Sequence, residues 1–138
     1  MQPPKDTVVV TTRRWRVVHA NDELYYPGFL RVVWGIHVAE MTDLSPEARQ
    51  EFMTVVWHVE KAVRDVMRPD KINLACFGNW VPHLHWHVIP RFRDDIHFPD
   101  TIWSLPRQEP DSLALEKRGF LLPKLAEAVQ QSLLPLTG

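Results

Sequence analysis

A single cysteine, Cys76, stands in the 138 residues, so no internal disulfide can form, which suits a reducing cytoplasm. Glycine is scarce too. Gly28, Gly35, Gly78, Gly119 and Gly138 are the only five, and none falls in a G-x-x-x-x-G-K-[ST] or G-x-G-x-x-G setting. A phosphate held by this chain must therefore find its donors outside a glycine-rich loop. No apolar run approaches the ~18 residues of a membrane span, and Met1-Gln2-Pro3-Pro4-Lys5-Asp6 lacks the apolar core of a signal peptide. Neither sign of charge dominates: 16 Lys and Arg against 17 Asp and Glu leave a net charge of −1 with no basic stripe, which argues against long nucleic acids as partners. Repeats and low-complexity tracts are lacking as well, so residues 1–138 are expected to form a single domain. A hydrophobic fraction of 45% with six tryptophans argues that this domain is folded.

What is present is histidine, seven in all, and three of them alternate with apolar residues in Pro82-His83-Leu84-His85-Trp86-His87-Val88-Ile89-Pro90. Successive side chains of an extended strand point to opposite faces, so His83, His85 and His87 are expected on one face and Leu84, Trp86 and Val88 on the other. Imidazole titrates near neutrality, which suits such a row to nucleophilic attack, proton transfer, or the binding of anions or metals. A solvated polar face is the plainest alternative. A metal centre is another, but at ~3.3 Å per residue the Cα atoms of His83 and His87 lie about 13 Å apart, whereas Zn–N bonds are ~2 Å. Two neighbours could share an ion; three could not without a sharp bend. His19, His37, His58, His97 and Cys76 add no paired ligand spacing.

Around this run the pattern reads as a small α+β domain. Residues 8–11 and 15–19 are β-rich and flank a turn, residues 29–34 form a further strand after the turn Tyr26-Pro27-Gly28, and 71–76 and 83–91 form two more. The connection between the last two is too short for a parallel crossover, so they must pair antiparallel. Ser45-Pro46-Glu47 combines an N-cap, a first-turn proline and an acid at the positive dipole end, and predicts a helix from Pro46 to about Met67. Its stripe is Phe52, Val56, Val59, Val63 and Val66. A second amphipathic helix follows from Leu122, Leu125, Ala126, Val129 and Leu133, and residues 91–116 between read as irregular chain. The expected fold is an antiparallel sheet of about five strands with one long helix packed on it and a C-terminal helix. Leu84, Trp86 and Val88 should be buried against the long helix, leaving the three histidines in a concave site on the opposite face.

The run from His83 to Ile89 resembles the histidine triad (HIT) signature, His-Φ-His-Φ-His-Φ-Φ with Φ apolar, at every position. The resemblance extends through Tyr26-Pro27-Gly28-Phe29-Leu30-Arg31-Val32-Val33, His37-Val38-Ala39-Glu40-Met41-Thr42-Asp43-Leu44 and Asn73-Leu74-Ala75-Cys76-Phe77-Gly78-Asn79, within a span from Trp15 to Trp103. Within the family the chain looks like the bacterial branch near histidine triad nucleotide-binding proteins and diadenosine polyphosphate hydrolases. The resemblance implies a nucleotide hydrolase or transferase in which His85 attacks the α-phosphorus of a nucleoside phosphoramidate, acyl-adenylate or dinucleoside polyphosphate. A nucleotidyl-histidine forms and is released by water, with His83 and His87 donating to the phosphoryl oxygens. No cofactor is required, although magnesium accompanies a polyphosphate; a homodimer is implied.

Substrate contacts carry over less directly. Asn21 sits where relatives place a residue on the ribose hydroxyls, and Asn79 where they place one on the phosphates; both types also suit turns. Trp103 falls in a segment that in relatives carries an aromatic near substrate or dimer contact, and is read here as a buried structural residue. The chain also departs from the pattern. Phe29 replaces a histidine, Trp80 replaces a Ser or Thr that contacts the leaving group, and His37 matches a non-catalytic position. These departures keep open a nucleotide-binding regulatory protein with vestigial catalysis, and a metal-binding protein is the third reading.

Overall fold

The computed structural model describes residues 5–137; Met1 to Pro4, read above for their lack of an apolar core, and Gly138 lie outside them. Five strands form one antiparallel sheet: β1 (Asp6–Thr11), β2 (Trp15–Ala20), β3 (Leu30–Trp34), β4 (Lys71–Ala75) and β5 (His85–Arg91), in the spatial order β1-β2-β3-β5-β4. Helix α1 (Pro46–Met67) covers one face, α3 (Leu122–Leu133) packs against α1 and β1, and a short α2 (Ser112–Gly119) precedes it. The fold is α+β, as the alternating and helical periodicities predict.

Local chemistry explains most boundaries. Ser45 Oγ accepts from the Ala48 amide at 3.1 Å and Pro46 occupies the first turn, so α1 starts where the cap places it. Its apolar stripe (Phe52, Val55, Val56, Val59, Val63) is wholly buried against Val17, Leu30, Val32, Leu84 and Val88, with Trp86 packed beside them. Gly35 is demanded by crowding: a Cβ there would lie 2.6 Å from the Arg13 carbonyl oxygen.

Two expectations are corrected. Strand β5 begins at His85, because the segment before it is tied instead to the chain leaving β3: the Leu84 amide donates to the Val38 carbonyl at 2.8 Å. His83 therefore precedes the strand. Residues 91–116 are not wholly irregular either, since Asp111 caps α2 by accepting from the Ala114 amide at 3.1 Å. The spacing of Leu113 and Leu115 gave no apolar stripe to reveal it, and α2 buries no side chain.

In the irregular part of that segment many bonds converge on one carboxylate. Asp95, 5% exposed, accepts from Arg91 Nε at 2.9 Å and Nη2 at 3.1 Å, from the amides of Phe92, His97 and Phe98, and from the Tyr26 hydroxyl. Burial would raise its pKa, but these bonds, Arg91's first, outweigh it and hold the carboxyl below the usual range. Arg91 also donates to Asn73 on β4 and to the Asp100 carbonyl. Asp95→Asn removes the charge that Arg91 was buried to meet, and should cost about 3–5 kcal/mol in urea unfolding; a change below about 1 kcal/mol would show that the network contributes little.

Candidate active site

On the sheet face away from α1, β5 presents His85 and His87, their rings edge to face with centroids 4.9 Å apart. They line a cavity of about 840 Å³ together with Asp22, Arg31, Phe77, Asn79, Trp80, Thr101 and Trp103. That volume lies in the ~300–1,000 Å³ range of small-molecule sites. The walls come from four places: β3 supplies Arg31, the turn after β2 supplies Asp22, the β4–β5 connection supplies residues 77–81, and the Asp95-anchored segment supplies Thr101 and Trp103.

Hydrogen bonds determine what each imidazole can do. His85 Nδ1 lies 2.6 Å from the His83 carbonyl oxygen. A carbonyl only accepts, so neutral His85 carries its proton on Nδ1 and keeps a lone pair on Nε2. His87 is the reverse. Arg31 Nε donates to His87 Nδ1 at 3.3 Å, so neutral His87 carries its proton on Nε2. His87 is 8% exposed, with Phe29, Phe77 and Trp103 rings around it at centroid distances of 5.5, 6.3 and 5.6 Å. Burial first, then the proximity of His85 and Arg31, push its pKa down to about 4. One ring thus offers a lone pair and its neighbour an N–H donor, the two complementary parts of an attack on a phosphoryl group.

The third histidine does not join this row. His83 Nε2 meets the Trp34 carbonyl, and its Nδ1 lies 3.1 Å from Nδ1 of His37. Because β5 starts two residues later than the alternation predicts, the His83 ring turns toward the chain leaving β3, and its contribution to the cavity is the carbonyl that orients His85. Asn79 lines the cavity as expected, whereas Asn21 does not. The amides of Asn21 and Asp22 both donate to the Lys5 carbonyl, and this turn sends Asn21 toward Thr7 and His19 at a separate cavity of about 230 Å³ beside α3, leaving Asp22 on the histidine side. Trp103 is half exposed and packs edge to face on Phe77 at 4.9 Å, so it is a cavity wall rather than a core residue. Arg31, Asp22, Phe77 and Thr101 were not singled out by sequence reasoning. Only Arg31 left a signal, a charge inside the otherwise apolar Leu30–Trp34 strand. Among the described residues, no group of three or more His, Cys, Asp or Glu is placed to hold a metal ion, and no helix is long and apolar enough to cross a membrane.

Comparison with known proteins sets this geometry in context. The HIT domain family model matches residues 2–94. An AP-4-A phosphorylase of Mycobacterium tuberculosis is 32% identical over 93 residues, covering 62% of this chain and 48% of that protein. A bis(5'-nucleosyl)-tetraphosphatase (asymmetrical) of Schizosaccharomyces pombe is 28% identical over 93 residues, covering 64% and 51%. The chain thus spans about half the length of the curated relatives it matches. The crystal structure of a histidine triad protein from Bradyrhizobium japonicum superposes with a TM-score of 0.69 at 26% identity, covering 88% of this chain and 91% of that one.

The buried neutral state of His87 has a measurable sign. Its folded pKa is below the unfolded value, so the unfolded chain binds the extra proton, and stability is lost as pH falls from about 6.5 toward 4. The unfolding free-energy advantage of wild type over His87→Gln should shrink by roughly 2–3 kcal/mol between pH 7 and pH 4. A pH-independent difference would contradict the assignment of His87 as neutral and buried.

Proposed function

The chain belongs to the HIT domain family, and from that premise we propose that it is a nucleotide hydrolase or transferase acting at the α-phosphate, with His85 as nucleophile. The observation that carries the reading is the His85 Nδ1 to His83 carbonyl bond, which leaves Nε2 as a lone pair on a cavity wall. In this reaction the Nε2 pair forms an N–P bond, the bond from phosphorus to the leaving group breaks in line, and the leaving group keeps the electron pair. In the proposed reaction His87 Nε2–H and the Asn79 amide bind the phosphoryl oxygens, Asp22 accepts from ribose hydroxyls, and His83 serves through its backbone. Water, or a phosphate oxygen as the phosphorylase name of one relative suggests, then attacks phosphorus and frees His85.

Dinucleoside polyphosphates, which the relatives' names point to, and nucleoside phosphoramidates are the substrate classes proposed. No cofactor is needed for these steps, and magnesium would travel with a polyphosphate as part of the substrate. The working form is read as a homodimer in the cytoplasm; among the described residues β4 pairs with β5 alone, and its other edge is one a second copy could use. A second reading, nucleotide binding with vestigial catalysis, is favoured by Phe29 and Trp80, which place rings where a proton donor would be useful.

Covalent trapping separates the two. Protein mixed with diadenosine tetraphosphate and quenched in alkaline denaturant, where a phosphorus–imidazole bond survives, should carry one nucleotidyl group on the peptide containing His85. His85→Ala should lose about 10³-fold or more in kcat while still binding nucleotide. Turnover of that variant within tenfold of wild type would eliminate the mechanism, and nucleotide binding with neither adduct nor turnover would establish the regulatory reading.

A further inference from the structure

Among the described residues Arg31 is the one strong cation lining the cavity, and its position is fixed by the sheet. The β3–β5 register pairs Arg31 with His87, so both side chains leave adjacent strands on the same face. The guanidinium lies over the buried Phe29 ring at 5.0 Å, donates Nε–H to His87 Nδ1, and approaches Asp22 and Glu23 only at 3.8 Å each. A guanidinium has no acceptor and does not deprotonate. As long as it sits there, a proton on His87 Nδ1 would point one N–H at another.

His87 therefore has one proton, on Nε2, and no ready means of giving it up, because a neutral ring that loses its only proton becomes an imidazolate. It can stabilise charge on a phosphoryl oxygen but cannot protonate a departing group. The groups facing it do not replace that function. His85 is committed to attack, Asp22 pairs with Arg31, and the Phe29, Phe77 and Trp103 rings carry no acid. Trp80, which also lines the cavity, is an exposed indole and carries no acid.

Leaving groups differ sharply in what this demands. When a phosphoric anhydride is cleaved, the P–O bond breaks, both electrons stay on the oxygen of the departing phosphate, and no proton is required. When a phosphoramidate is cleaved, the P–N bond cannot release an amide anion in water, so nitrogen must receive a proton before or during departure. We propose that Arg31, by holding His87 as a neutral Nε2–H donor, is a positioning residue that restricts this site to nucleotides joined at the α-phosphorus through an anhydride oxygen. Dinucleoside polyphosphates fit and P–N-linked phosphoramidates do not. This inference rests on the reading of His85 as nucleophile and narrows its substrate class.

The test compares diadenosine tetraphosphate with adenosine 5'-phosphoramidate as substrates for the full chain, alongside ¹⁵N spectra of the histidine rings. General acid catalysis contributes about 10²–10⁴-fold, so wild type should favour the tetraphosphate in kcat/KM by at least ~100-fold. Arg31→Met should shrink that ratio by about tenfold or more, move the His87 ring signals away from the fixed Nε2–H tautomer, and raise the pH at which His87 titrates. Arg31→Lys keeps a positive charge and a donor that cannot accept, so its substrate ratio and His87 ring signals should stay closer to wild type than those of the Met variant. Comparable wild-type rates on the two substrates would overturn the proposal, as would an Arg31→Met protein with unchanged ratio and unchanged His87 signals. If the variants fail to fold, the wild-type ratio and ring spectrum still decide. Efficient phosphoramidate turnover through a labelled His85 would sink only the role given to Arg31, whereas turnover surviving His85→Ala would sink the nucleophile itself.

Discussion

The antiparallel register between β3 and β5 is the constraint on which the rest depends. It places Val33 opposite His85 and Arg31 opposite His87 at the centre of the sheet, with Leu30, Val32, Trp86 and Val88 directed at α1. A slip of one residue would exchange the two faces, burying imidazoles against the valines of α1 and exposing Trp86 and Val88. The hydrophobic demand of the helix face therefore fixes the register. The register in turn fixes which cation stands beside which histidine. Packing on one side of the sheet sets the chemistry on the other, with no separate device needed to align the reacting groups.

Alternation and capping make the fold readable in the sequence. The period-2 pattern of His85 to Val88 and the helical stripe of Phe52 to Val63 each report a single buried face, and Ser45-Pro46 marks a helix start by hydrogen-bond chemistry that acts within four residues. Such local signals survive the loss of all long-range information. The antiparallel pairing of β4 with β5 follows from chain length alone. The capped but stripe-free α2 shows the limit: a surface helix with no fully buried side chain writes no apolar period into its sequence.

The site was less legible, and the misses have a common cause. His83 is placed by strand alternation and Asn21 and Trp103 by the family resemblance, yet each is oriented by a partner far along the chain: His37 and Trp34 for His83, Thr7 for Asn21, Phe77 for Trp103. Arg31 is the instructive case. A lone charge in an apolar strand can mean an edge position or a solvated face, and only the identity of the residue across the sheet tells that it points at an imidazole. The tautomers could not be read in sequence either, because they depend on whether a given ring nitrogen meets a carbonyl or a guanidinium.

The anchoring of the far cavity wall by Asp95 has a dynamic consequence. The chain that carries Thr101 and Trp103 has no strand ladder of its own in this stretch. It is tied through the Asp95 carboxylate, which accepts from Arg91, Tyr26 and three nearby amides at once, and through Arg91 to the Asp100 carbonyl. Bonds that converge on one group cannot be released one at a time without leaving a buried charge half-solvated. The wall therefore opens as a cooperative unit or stays shut, with little population between. Exchange of its amide protons would follow a single opening equilibrium, and a ligand leaning on Trp103 would feel a stiff surface rather than a loop that yields by degrees.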